Sequence, residues 1–268
     1  MRTSIQISEF IEQYRDRFLT PSAPGWLEEM VGLFGDRTVV TVDSDVVDVS
    51  KEEGRRIAAY HEAAHAVIAW RNGYENQILF LALLSDGGSG LQGLERNFFP
   101  SQEERKKPVS SYHDSTKKGW MRVIKTKLIR AALRVPYWVG ESDAILEASV
   151  HLAGPIAEQL YVGGEKRLVL SGDRWEIPHQ CFEDMSAAAW TLWLYQPDEK
   201  IVPSLRKCSR REERELRWPK IADAVTVLAD QLLEKGALDQ AEIGSLLNKH
   251  LPSRQYKGSP WENGVELR

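Results

Sequence analysis

The chain has 268 residues, 42% of them hydrophobic and 28% charged, with a formal net charge of -4. That balance belongs to a folded globular chain; it excludes a disordered or fibrous one and supplies no positive field to draw it to nucleic acid. Two cysteines, a start without a signal-peptide core and no apolar run longer than Ile78 to Leu84 lead us to expect a cytoplasmic protein with no disulfide framework and no membrane span.

Along the chain, Ile5, Phe10, Ile11, Tyr14 and Phe18 predict an amphipathic helix over 5–18. Trp26 to Phe34 reads as a second short helix, and the alternating valines of 38–49 as one or two strands. Residues 1–49 together predict a small helical and strand appendage. Ser50 to Gly73 predicts a strong helix, with Ser50 as cap, Glu52 and Glu53 where the dipole favours negative charge, and Asn72-Gly73 as its stop. The apolar run 78–84 reads as a strand, either an edge that could seat an extended peptide or an internal one. Residues 85–90 read as a turn, 100–116 as a polar loop and 120–133 as a helix. A long helix is expected over 143–161, kinked or broken at Pro155. Further helices are expected over 183–195, 201–217, 218–235 and 240–250. The basic and acidic run 201–217 reads as an exposed helix laced with ion pairs, 236–239 as a turn whose Asp239 caps the last helix, and 251–268 as a loose tail.

The chemistry concentrates in His61-Glu62-Ala63-Ala64-His65. On a helix, residues four apart lie one turn apart on the same face, so both imidazoles can reach one metal ion. Glu62 sits beside that face, suited to act as general base on water rather than as a ligand. Ala58, Ala59, Ala63, Ala64, Ala66, Val67 and Ile68 mark a buried helix, in which two histidines and a glutamate are costly unless a metal satisfies them. Imidazole and carboxylate donors suit Zn2+. A catalytic zinc takes a third protein ligand. Spacing leaves Glu158, Asp173, Glu183, Asp184, His151 and His179 open. A carboxylate on a helix with small neighbours favours Asp184, which precedes Met185-Ser186-Ala187-Ala188-Ala189, and Glu158 nearly as much.

Residues 57–67, Ile-Ala-Ala-Tyr-His-Glu-Ala-Ala-His-Ala-Val, resemble the active-site helix of the FtsH family of ATP-dependent zinc proteases, Ala-Tyr-His-Glu-Ala-Gly-His-Ala. The likeness continues in order through Ser89 to Gly93, through Leu152 to Leu160 with Gly163, through Asp184 with Ala188, and through the final helical hairpin 218–247, so it covers about 50–250. It implies a mainly α (α+β) peptidase fold with a small sheet near the metal. It also implies that Asp184 is the third ligand and that Glu158 is structural or stands behind the ligands. Three departures bear on function. Residues 1–49 hold no Gly-x-x-x-x-Gly-Lys-Ser/Thr phosphate loop, membrane segment or ATPase module. Ala64 replaces the usual glycine between the histidines. Residues 92–146 form an extended insertion.

The expected organisation is therefore an appendage (1–49), a zinc metallopeptidase domain (50–250) and a flexible tail (251–268). The expected activity is hydrolysis of peptide bonds in unfolded or flexible protein segments, independent of ATP, with His61, His65 and Asp184 on Zn2+ and Glu62 catalytic. The competing readings are a catalytically silent, zinc-stabilised regulatory or binding module, and a peptidase subunit served by a separate ATPase. The family's six-membered rings carry the expectation of a homo-oligomer. Neither nucleic acid nor a membrane is expected as a partner.

Overall fold

The structure is a computed structural model that describes residues 2–14, 26–35, 38–43, 52–74, 78, 80–83, 89–92, 141–161, 175–178, 181–195 and 198–251. In chain order its elements are β1 (Arg2–Gln6), α1 (Ile7–Tyr14), α2 (Trp26–Phe34), β2 (Thr38–Asp43), α3 (Glu52–Arg71), β3 (Phe80–Leu83) and β4 (Ser89–Gln92). They are followed by α4 (Glu141–Tyr161), β5 (Trp175–Pro178), α5 (Phe182–Tyr195), α6 (Asp198–Leu216), α7 (Pro219–Lys235), β6 (Ala237–Asp239) and α8 (Gln240–His250). The architecture is mainly helical with two small sheets. None of the described helices is long and apolar enough to cross a membrane.

Helix α3 is the centre of the packing. From Ala58 to Ala69 every residue except His61 is buried, so the helix is enclosed on all sides rather than along one stripe. Its alanines let neighbouring helices approach closely; α4 and α7 pack directly against it. Glu52 and Glu53 occupy its first turn and Arg71 its last, as the dipole favours. The chain then turns at Gly73, whose φ of 86° suits glycine. The buried Asn72 donates its side-chain N–H to the Leu146 carbonyl at 3.0 Å, tying the end of α3 to the start of α4.

Helix α4 runs through Pro155 without a break, so of the two expected outcomes, kink or break, the break does not occur. The proline removes one helical hydrogen bond, to the His151 carbonyl. Packing of α4 against α3, α5 and α6 outweighs that loss.

The first sheet has the order β1-β2-β5. β1 and β2 are antiparallel, with Ile5 opposite Val40, and β2 and β5 are parallel, with Val40 opposite Ile177. The expected N-terminal helix is corrected: its first residue, Ile5, belongs to β1, and helix begins at Ile7. Phe10 reaches the Phe182 ring, with centroids 4.9 Å apart, so α1 shares its core with α5.

The second sheet has the order β4-β3-β6, antiparallel throughout, and lies against α3. β3 is therefore internal, flanked on both sides, and offers no edge to a peptide. Two turns expected from sequence prove to contain strand. Ser89 and Gly90 pair in β4, and Ala237 to Asp239 pair with β3 as β6. Asp239 does cap α8: it accepts from the Glu242 N–H at 2.9 Å while its own N–H donates to the Glu242 carboxylate at 3.1 Å. The expectations for 15–25, 44–51, 84–88, 93–140, 163 and 252–268 lie outside the described residues.

Helix α6 carries the expected ion pairs, Arg211 with Glu215 at 3.2 Å and, just past its end, Arg217 with Glu213 at 2.9 Å. It is not simply an exposed helix, because Ile201, Leu205, Cys208, Glu212 and Leu216 form a buried stripe. Burial pushes the Glu212 carboxyl up to about 7, against the opposing pull of Arg211, Ser149 and Arg71. A carboxyl whose folded pKa lies above its unfolded value stabilises the fold most at low pH. That contribution is complete below about 4.5 and is lost as the pH rises through about 7. Glu212→Gln is expected to remove this fall, which is worth roughly 3 kcal/mol at most. Melting temperatures from pH 5 to 8 test this: wild type should lose more stability than the variant over that range, and equal losses would sink the assignment.

Candidate metal centre

Three side chains far apart in sequence meet between α3, α4 and α5. The Nε2 atoms of His61 and His65 are 2.9 Å apart. The Asp184 carboxylate, in the first turn of α5, lies 3.2 Å from His61 Nε2 through one oxygen and 3.5 Å from His65 Nε2 through the other. Among the described residues these three form a group able to hold a metal ion, with donor atoms all within 4.8 Å of one another.

What lies behind the imidazoles decides their protonation. His61 Nδ1 is 2.6 Å from Glu158 Oε1, and His65 Nδ1 is 2.6 Å from the Val150 carbonyl oxygen. Carboxylate and carbonyl oxygens only accept, so each Nδ1 must carry the proton and donate. Each Nε2 then faces the other Nε2 and the Asp184 carboxylate. Two imidazole nitrogens and a carboxylate crowded this closely need a proton or a metal cation among them. Two imidazole nitrogens and one carboxylate, with both outer nitrogens anchored, are the donor set that zinc takes in open sites. The Nε2 separation is close to the roughly 3.3 Å between two ligands at tetrahedral angles around one zinc.

The electrostatics agree with a demand for positive charge. Burial alone would push the Asp184 carboxyl up, yet the charges and hydrogen bonds of His61 and His65 hold it far below the usual carboxylate range. Burial likewise disfavours a charged His61, but Asp184 and then Glu158 raise its pKa well above the ordinary value. The cluster thus attracts a proton when nothing larger is there.

The side chains of His61 and Asp184 keep 13% and 20% of their surface open, so the cluster lies close beneath the surface. Glu62 is buried on α3, next in the chain to His61. Of the other candidate ligands, Glu158 is not in the group; it stands behind His61. His151 faces Glu147 instead, with Nε2 to Oε1 at 3.9 Å. Glu183 is half-buried beside Asp184 on α5. Asp173 and His179 lie outside the described residues. Sequence reasoning missed the Val150 carbonyl, which has no side-chain signature.

The anchor behind His61 gives a direct expectation. Glu158→Ala should leave the imidazole free to turn and weaken zinc binding by about 10–100-fold. Competition against a chelator of known affinity measures this; an unchanged affinity would remove Glu158 from the site.

The chain matches no protein-family model and no curated protein.

Proposed function

We propose that the chain is a zinc-dependent endopeptidase, acting on unfolded or flexible segments of other proteins without ATP of its own. The observation that carries this reading is the convergence of His61 Nε2, His65 Nε2 and the Asp184 carboxylate on one point, with Glu62 placed immediately after His61 on the same helix. His61, His65 and Asp184 would hold the ion. Zinc, when bound, supplies a Lewis acid that polarises a carbonyl and acidifies water. Glu62 takes a proton from the attacking water and passes it to the departing amine as the C–N bond breaks. Glu158 and the Val150 carbonyl keep both imidazoles in the tautomer that binds a metal through Nε2. The ordered resemblance of 50–250 to FtsH-family peptidase domains supports the same reading, and with it a related fold and a cytoplasmic setting. A separate ATPase is the partner expected to deliver folded substrates.

A mixed library of unfolded peptides tests the proposal. Cleavage should require zinc, stop on chelation and return when zinc is restored. Tight, stoichiometric zinc without cleavage under any condition would instead identify a zinc-stabilised binding module.

A further inference from the structure

We infer that Gly154 of α4 is a positioning residue for the metal, one that acts through the side chain it lacks; the inference rests on the metal-centre reading above. A Cβ on Gly154 would lie 2.5 Å from His65 Nε2, 2.6 Å from His61 Nε2 and 2.7 Å from His61 Cδ2. Carbon in van der Waals contact needs about 3.5 Å or more. The point is nearly equidistant from both nitrogens, only about half an ångström beyond the 2.0–2.1 Å of a zinc–nitrogen bond. It is also as close to His61 Cδ2 as to His61 Nε2, so a Cβ there would press on the His61 ring and on His65 Nε2 together and displace both imidazoles.

Glycine in a helix interior is ordinarily unfavourable beside alanine, because its unfolded chain is freer and it buries no side chain. Gly154 nevertheless sits well inside α4, between Ala153 and Pro155. Close packing of two helix backbones is the usual reason for such a glycine. Here the three atoms nearest to a Cβ, all closer than 3 Å, belong to the two imidazoles. Gly244, within α8, shows the contrast: a Cβ there would meet only the Trp70 ring, at an ordinary 3.5 Å.

The imidazoles have no easy way to yield. Each is held from behind at 2.6 Å, His61 by Glu158 and His65 by the Val150 carbonyl, so turning away from a methyl group breaks a short hydrogen bond. The Val150 carbonyl belongs to the same helix, one turn before Gly154. Helix α4 thus both anchors His65 and leaves the two imidazoles room to stand where they are. Pro155 adds to this arrangement: it offers no N–H to the His151 carbonyl, which neighbours the Val150 carbonyl that His65 uses.

The test uses the full chain with Gly154→Ala and reads zinc affinity and thermal stability, both independent of peptidase activity. Wild type should bind one zinc per chain. Gly154→Ala should bind it at least a hundredfold more weakly, beyond the roughly 10–100-fold that loss of an outer hydrogen-bond partner costs. Melting in the presence of a chelator supplies the second arm. Gly154→Ala should lower the melting temperature of the otherwise native chain. In a His61→Ala/His65→Ala background, where the collision is gone, the same substitution should raise it through better helix propensity. This arm holds even if the single variant barely folds, because the background variant then recovers. Wild-type zinc affinity retained by Gly154→Ala would overturn the inference and leave the metal centre standing, as would a rise in melting temperature in both backgrounds. Wild type that bound no zinc would overturn the metal centre itself and the inference with it.

Discussion

Glu62→Gln is expected to bind zinc as tightly as wild type while losing about 10²–10⁴-fold in the rate of peptide hydrolysis. The amide keeps the shape of the side chain and its place on α3, so the fold and the three ligands are untouched. It cannot take a proton from water. The two halves of the result must be measured on one preparation: zinc content by metal analysis, and kcat on an unstructured peptide. Full activity in the variant would remove Glu62 from the chemistry. Equal loss of zinc and rate would show that Glu62 supports the ligands and not the reaction.

Asp184→Asn is expected to have the larger effect on the metal. Asp184 provides the negative charge of the ligand set, facing both Nε2 atoms at 3.2 and 3.5 Å. Without it the ion would face two neutral imidazoles in a largely buried site. Zinc affinity should fall by more than the roughly 10–100-fold of a lost outer partner, and activity with it. A second readout needs no metal. Asp184 is the main group that raises the His61 pKa against the effect of burial. With that charge gone, burial acts against Glu158 alone, so His61 in the metal-free variant should titrate at lower pH than in metal-free wild type. Imidazole proton shifts followed by NMR measure it directly. A His61 titration at or above the wild-type pH would contradict the geometry of the cluster.

How much of this was legible in the sequence depended on how local each feature is. The pairing of His61 with His65 needs only a helix, and α3 announces itself through its acidic first turn, its alanines and the Asn72-Gly73 stop. Helices α2, α7 and α8 were readable for similar reasons. Asp184 could be favoured but not separated from Glu158 by spacing. Both are carboxylates on helices with small neighbours, and their different roles arise only where α4 and α5 cross α3. The two anchoring contacts span 97 and 85 residues, and one of them ends on a backbone carbonyl. No side-chain pattern reports such a contact. Strands suffered most. β6 is three residues long and follows a glycine that ends α7, so local chemistry reads it as a turn. Only its pairing with β3 makes it a strand. Ile5 satisfies helical spacing and strand alternation alike, and the choice falls to Val40 across the sheet.

The pairing of β3 with β6 also sets an order in time. A β3–β4 hairpin is marginal alone, and its free side is a bare strand edge. As the chain is synthesised, Leu81 must wait for Leu238 before that edge is covered. Helix α7, which closes over α3, arrives only just before β6. Helix α3 therefore emerges early and receives its last cover late. Closing so long a loop is slow, since its entropy must be lost before the contacts it permits are made. The partners of His61 and His65 on α4 and α5 are made before the C-terminal helical hairpin, so a half-made chain can assemble the cluster while one flank of α3 still waits for its cover.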